Sequence, residues 1–340
     1  MDKKLLQTLC ELDGISGREE AVRAYILKEL ETISVPHETS VDAMGNVLVH
    51  LHGKQPAGHR LLLDAHMDEV GFLVSHITPE GYLRFQTVGG IDKQVLFGRR
   101  VRIGAQPGVI GGKAIHHCSK KESEQIPAVE DMLIDIGAGS AEEAEKLVAI
   151  GAAGTFASAF VPHGENGFVG KAVDDRVGCA LLLTLAKEQP ARDVWLSFSV
   201  QEEVGLRGAG AAAYAVRPDV AIAIDATTAA DTVGSTRETA VCRVGDGAVV
   251  SFADRATLYD PELYQTIRHL AQELHIPTQT KNRIAGGNNA GSIQRSGSGV
   301  RMAAVSLPCR YIHSPACTGS WADVEAMEQL LGALIERLSV

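Results

Sequence analysis

Apolar side chains at the start of the chain recur at three- and four-residue steps: Leu5, Leu6, Leu9, Val22, Tyr25, Ile26 and Leu30. That spacing predicts two amphipathic helices. Between them, Ser16-Gly17-Arg18-Glu19-Glu20 has the form of a capped helix start, with Glu19 at the reach-back position of a capping box. The runs 45–50 and 60–63 then read as strands. The second is continuously apolar, as a strand covered on both faces would be. From about residue 70 to 160 glycines become dense. Short alternating strands such as 82–85 and 100–103 are separated by turn signals, with one helical interruption at 141–148. This stretch is expected to form a compact, barrel-like β-domain.

The second half alternates helix and strand. Helices are predicted at 175–187, 208–214, 261–274 and 323–338, and strands at 194–200, 220–224 and 302–307. Such alternation points to an α/β fold, a mainly parallel mixed sheet sandwiched by helices. The expected division is a catalytic domain of residues 1–69 and 161–340, interrupted by a β-domain of residues 70–160.

Composition adds little to that picture and narrows the partners. The 340 residues are 45% hydrophobic and 22% charged, with a formal net charge of −10. No basic run favours nucleic acid or an anionic membrane. No segment approaches the roughly 18 apolar residues of a membrane span, and the N-terminus lacks a signal-like apolar stretch. Six scattered cysteines without a Cys-x-x-Cys pattern read as reduced thiols of a cytoplasmic protein.

The chemistry lies in five side chains placed beside predicted strand ends: His66, Asp174, Glu203, Asp225 and His313. In open α/β sheets ligands bind beyond the carboxyl ends of the strands. Two histidines and three carboxylates suit two divalent cations sharing one carboxylate. Asp68, two residues after His66, is placed to orient the imidazole. Asp174 and Asp175 are adjacent carboxylates before an apolar helix, which fits a bridging ligand or a helix cap. Side chains of Glu202 and Glu203 point to opposite sides in extended backbone, so one glutamate can ligate while its neighbour faces the bound water as general base. Asp225 ends an apolar strand, where it must be paired, capped or metal-bound. His116 and His117 lack nearby carboxylates and read as solvent or interface residues.

Three motifs are together distinctive: Asp64-Ala65-His66-Met67-Asp68-Glu69-Val70-Gly71-Phe72, Gly170-Lys171-Ala172-Val173-Asp174-Asp175-Arg176 and Gln201-Glu202-Glu203-Val204-Gly205-Leu206-Arg207-Gly208. They closely resemble the dinuclear metalloaminopeptidases of the glutamyl, deblocking and tetrahedral (TET) group, some once labelled endoglucanase M. The resemblance implies a zinc-exopeptidase-like fold and removal of N-terminal residues from short peptides by a metal-bridging water. It implies two divalent cations, zinc or cobalt, with manganese as a further option. One would be held by His66 and Asp225 and the other by Glu203 and His313, with Asp174 bridging, Glu202 as general base and Asp68 supporting His66. It also implies that the β-domain mediates dimerisation and that dimers build a homo-oligomer, commonly a dodecamer.

One stretch departs from the pattern. Many relatives carry Gly-Gly-Thr-Asp-Ala-Gly where this chain has Gly286-Gly287-Asn288-Asn289-Ala290-Gly291, which is expected to remove a carboxylate near the substrate. Three other functions compete with this reading. An amidase or deacylase would use the same metal chemistry. A glycoside hydrolase would leave both histidines unexplained and want more aromatics than the 5% present. A non-catalytic oligomeric scaffold would not need the complete ligand set.

Overall fold

The computed structural model describes residues 1–339. The chain opens with helices α1 (Lys3–Glu11) and α2 (Glu20–Leu30), followed by strands β1 (His37–Val41), β2 (Val47–Leu51) and β3 (Leu61–His66). Strands β4 (Gly71–Ile77), β5 (Leu83–Val88), β6 (Arg100–Ile103), β7 (Gln106–Gly111), β8 (Leu133–Asp135) and β9 (Ala153–Phe156) come next, with short helices α3 (Lys120–Ser123) and α4 (Ala141–Leu147) between the last three. A hairpin, β10 (Val161–His163) and β11 (Gly167–Gly170), leads to α5 (Val173–Leu185), β12 (Val194–Ser199), α6 (Arg207–Val216) and β13 (Val220–Thr228). The chain ends with β14 (Ala248–Val250), α7 (Pro261–Glu273), β15 (Thr278–Thr280), α8 (Ala290–Ile293), β16 (Arg301–Cys309), β17 (Cys317–Ser320) and α9 (Trp321–Leu338).

Eight strands form one sheet in the order β1-β2-β12-β3-β13-β16-β14-β15. The four central strands β12, β3, β13 and β16 are mutually parallel. Antiparallel β2 flanks them on one side and antiparallel β14 on the other. Both faces of β3 are buried, which accounts for its unbroken apolar run. One face packs against α1, α2, α5, α7 and α9 in a core that includes Leu6, Ile26, Leu63, Val177 and Leu331. The other packs the small residues Ala209, Ala212 and Ala213 of α6 and Ile293 of α8 over Leu62 and Ala221. Alanines and glycines bring α6 close to the sheet, so this layer is thin.

The six strands from Gly71 to Phe156 close into a separate antiparallel barrel, β4-β5-β8-β7-β6-β9. Phe72, Phe85 and Phe156 fill it, with Phe72 edge-on to both neighbours. The barrel-like β-domain and the mainly parallel mixed sheet read from the sequence are therefore present.

Local expectations needed correction in four places. Ser16 and Glu19 do not form a capping box. The Ser16 hydroxyl donates to Asp68 at 2.6 Å, and Glu19 accepts from the amides of Gly17 and Gln201 at 2.7 and 3.1 Å. Tertiary partners outcompeted the local cap. His66 is the last residue of β3 rather than part of a following loop, and Asp225 lies inside β13, which continues to Thr228. The strand predicted at 302–307 runs on through Pro308 to Cys309. β14 pairs β16 only as far as Ser306, so one side of Pro308 has no partner strand, a position a proline tolerates.

Candidate metal centre

Parallel packing of β12, β3, β13 and β16 sets their carboxyl ends along one rim. Ser199 of β12 is in register with His66 of β3, so the chain leaving β12 carries Glu202 and Glu203 past the imidazole. Asp225 is in register with Ser306 of β16, and His313 follows β16. Asp174 enters from the first turn of α5. Several of these junctions hold non-glycine residues in the left-handed region: Ala172 (φ 54°), Gln201 (57°), Leu206 (58°), Tyr311 (59°) and His313 (57°). Each costs on the order of 1–3 kcal/mol. Such backbone is tolerated where the surrounding fold fixes side chains that a relaxed turn would misdirect.

Asp174 lies at the centre. Its Oδ1 is 3.2 Å from Nε2 of His66, and its Oδ2 is 3.1 Å from Nε2 of His313. Asp225 Oδ1 is 3.7 Å from the same nitrogen of His66, and Glu203 Oε2 is 3.3 Å from that of His313. Two three-residue groups result, His66 with Asp174 and Asp225, and Asp174 with Glu203 and His313; donor atoms within each lie within 4.8 Å of one another. They share Asp174. All five sequence-predicted ligand positions thus meet, and Glu202 lines the same cleft.

Both imidazoles are aimed the same way. Nδ1 of His66 is 3.1 Å from the carbonyl oxygen of Asp68, and Nδ1 of His313 is 2.9 Å from that of Gly90. A carbonyl only accepts, so each Nδ1 carries a hydrogen and each Nε2 faces the carboxylates. Asp68 lies directly beside the His66 ring. Its carboxylate stands 3.4 Å from His66, but its hydrogen bonds go to the Ser16 hydroxyl and the amides of Glu202 and Glu203. Asp175 turns inward. It accepts from the amides of His66 (3.3 Å) and Gly178 (3.0 Å), the second being a cap-like bond to the first turn of α5. A Cβ at position 178 would stand 2.4 Å from that carboxylate, so glycine is required there.

Burial makes the charge balance severe. It pushes Glu202 well above the usual carboxylate range, Glu203 to about 8 and Asp225 to about 7, and neighbouring carboxylates add to each shift. Burial opposes charge on the histidines too, yet Asp174 raises His66 well above its ordinary value and His313 to about 10. Asp174 is itself held low by hydrogen bonds from both rings, against the effect of its burial. Without ions the cleft answers this crowding by holding protons; with all four carboxylates ionised and both imidazoles neutral it would carry a surplus of negative charge that two divalent cations would offset. The donor set, its aim and its charge all fit such ions.

Residues without an assigned role in the sequence reading support the rim. Lys171 donates to both oxygens of Glu69 (2.7 and 3.0 Å) and to the Leu12 carbonyl (2.8 Å). The fully buried Arg176 donates to the carbonyls of Met67, Leu9, Leu12 and Gly14. These bonds lash the N-terminal helices to the segment after His66. The departure at Asn288-Asn289 also reads differently in three dimensions. Asn289 is buried beneath the rim and donates to Asp64 and Ser199, each at 2.8 Å, and only Asn288 lines the cleft. A larger cavity, about 840 Å³, lies at the opposite, amino ends of β13 and β16, between Tyr214, Arg217, Leu258 and Arg301. It contains none of the rim residues.

A centrally parallel sheet with imidazoles and carboxylates gathered on its carboxyl rim fits a metal-dependent hydrolase. The M42 glutamyl aminopeptidase family profile matches residues 45–330. The lysyl aminopeptidase of Pyrococcus furiosus is 32% identical over 349 residues, covering 99% of this chain and 98% of its own. The TET aminopeptidase from a marine sediment Thaumarchaeota archaeon superposes with a TM-score of 0.93 at 35% identity, covering 99% and 96% of the two chains. The Pyrococcus horikoshii TET1 peptidase, which can assemble into a tetrahedron or a large octahedral shell, gives a TM-score of 0.87 at 33% identity, with 98% of each chain covered. The chain belongs to the M42 family and is an aminopeptidase.

Proposed function

We propose that this aminopeptidase is dinuclear, with His66, Asp174 and Asp225 around one divalent cation and Asp174, Glu203 and His313 around the other. Zinc or cobalt suits these imidazole and carboxylate donors, and manganese is the next choice. Bound cations would supply Lewis acidity toward a scissile carbonyl and lower the pKa of water. The chain's own residues do the rest. Glu202 takes a proton from the attacking water and returns it to the leaving amine. Among the described residues no hydrogen bond engages its carboxylate, and burial keeps its proton affinity high. Asp68 holds the Glu202 amide, and so the position of that base. The observation that carries this reading is Asp174 offering one oxygen to each imidazole.

The cleft also favours one kind of substrate. Lys281, just after β15, is only 7% exposed and lines the cleft with Glu202 and Asp225. Among the described residues no carboxylate lies within salt-bridge distance of its ammonium. A buried, unpaired cation favours an anionic side chain on the residue removed. Short peptides with an N-terminal Glu or Asp are therefore the proposed substrates.

The proposed division has residues 70–160 as an insert that mediates dimerisation, with the dimers assembling into a dodecamer. The free state of all six cysteines agrees with a cytoplasmic setting. The test is a panel of aminoacyl chromogenic amides, with N-acetylated controls, against protein reconstituted with zinc, cobalt or manganese. Hydrolysis of free-amine substrates alone is expected. Equal turnover of the acetylated controls would make the enzyme a deacylase or amidase instead.

A further inference from the structure

Two other histidines lie well away from the rim. His50 lies on β2 and His52 is the first residue past its end, where its amide still donates to the Pro36 carbonyl at 2.9 Å, so the two side chains share one face of the sheet. Glu38 of β1 stands directly across from His50 in the antiparallel register. The rings are 4.5 Å apart between centroids, and Nε2 of His52 is 3.5 Å from Oε1 of Glu38. Donor atoms of the three residues lie within 4.8 Å of one another.

This cluster is held in place. The His50 ring stacks on Trp195 of β12, 4.4 Å between centroids and 6° from parallel. Asp193 Oδ2 is 3.8 Å from Nε2 of His50, and its other oxygen accepts from the Gly53 amide at 2.8 Å. Burial, followed by the neighbouring His52, keeps His50 below the usual histidine range, so a neutral ring is available. Trp195 is in register with Leu62, four residues before His66 on β3. That separation is about 13 Å along the strands, too far for any ligand to serve both places.

We propose that Glu38, His50 and His52 form a third, non-catalytic site for a borderline divalent cation such as zinc, nickel or copper, with Asp193 within reach as a fourth ligand. Two imidazoles with carboxylates are a donor set these ions prefer over magnesium or calcium. The site has a structural use. β1 is an edge strand, exposed along most of its length and, among the described residues, paired only with β2. A cation shared between Glu38 and the two histidines would clip that edge to its neighbour and occupy a row where another chain could add.

The test uses the full-length protein, stripped with chelator, then titrated with zinc and with nickel, with bound metal counted after desalting. His52→Gln and, separately, Glu38→Gln are compared with wild type, and His37→Gln serves as control. Glu38 is exposed and His52 half-buried at the edge of the sheet, and a melting curve for each variant confirms that it is folded. The expected result is a loss of one metal equivalent in His52→Gln, a weakened one in Glu38→Gln and none lost in the control, with aminopeptidase turnover unchanged in all three. Equal stoichiometry in wild type and His52→Gln would overturn the proposal. The readout is a difference, so it stands whether or not the rim holds two ions.

Discussion

The amide of Glu202 donates to Oδ1 of Asp68 over 2.9 Å. With the parallel bond from Glu203 to the other oxygen, it fixes two neighbouring acids by their backbone. Asp68→Ala should release both amides. Partners of this supporting kind typically cost 10–100-fold in metal affinity or activity, so a fall of about that size is expected in kcat and in bound metal, measured together. Unchanged metal content with normal kcat would remove Asp68 from the design.

Glu202→Gln keeps the shape and loses the base. kcat should fall by about 10²–10⁴-fold while metal content by elemental analysis stays at the wild-type level. Turnover near wild type would show that another group handles the proton.

Lys281→Met should lower the kcat/KM ratio of glutamyl over leucyl substrates by about 10–100-fold, the loss of one buried charge-assisted contact. Amide substrates carry no C-terminal carboxylate, so the change would report the first side chain alone. An unaltered ratio would assign Lys281 to structure.

Metal-free and metal-loaded protein should diverge with pH. In the metal-free site Asp225 and Glu203 titrate near 7 and 8, above their unfolded values of 3.8 and 4.5. His313 titrates near 10 against 6.5 unfolded. All three retain protons that the unfolded chain has released, so their contribution to stability declines as pH rises from about 4 toward 10. Metal displaces those protons. The gap in melting temperature between loaded and stripped protein should therefore widen from pH 5 to pH 8. A constant gap would contradict this ordering of protons.

Asn289→Asp places a second carboxylate 2.8 Å from a fully buried Asp64 whose pKa burial already raises to about 6. Two carboxylates at that distance must share a proton. The variant should lose ~1–3 kcal/mol at pH 8, and much less at pH 5, in chemical denaturation. A loss independent of pH would point to packing instead.

Much of this was legible beforehand because strand ends carry the chemistry. Asp174, Glu203, Asp225 and both rim histidines could be found as polar groups abutting apolar runs. Other features left no periodic trace. β14, β15 and β17 have three or four residues each, too few to alternate recognisably. The partner of His313 is a main-chain oxygen at Gly90, which no residue type announces. Ser16 could satisfy a local cap or reach Asp68, and only the folded chain decides between them. Lys281 was one lysine among many until the fold buried it in the lining of the cleft.

The bond from Gly90 to His313 has a further consequence. The oxygen that aims this ring belongs to a turn just after β5 of the barrel, 223 positions upstream of the imidazole it steadies. The barrel segment thus reaches to the proposed metal centre, and exchanging it for a short linker would take this bond from the His313 ring. Whatever grips that turn from outside, a sister subunit included, would be felt at the rim within a single peptide unit.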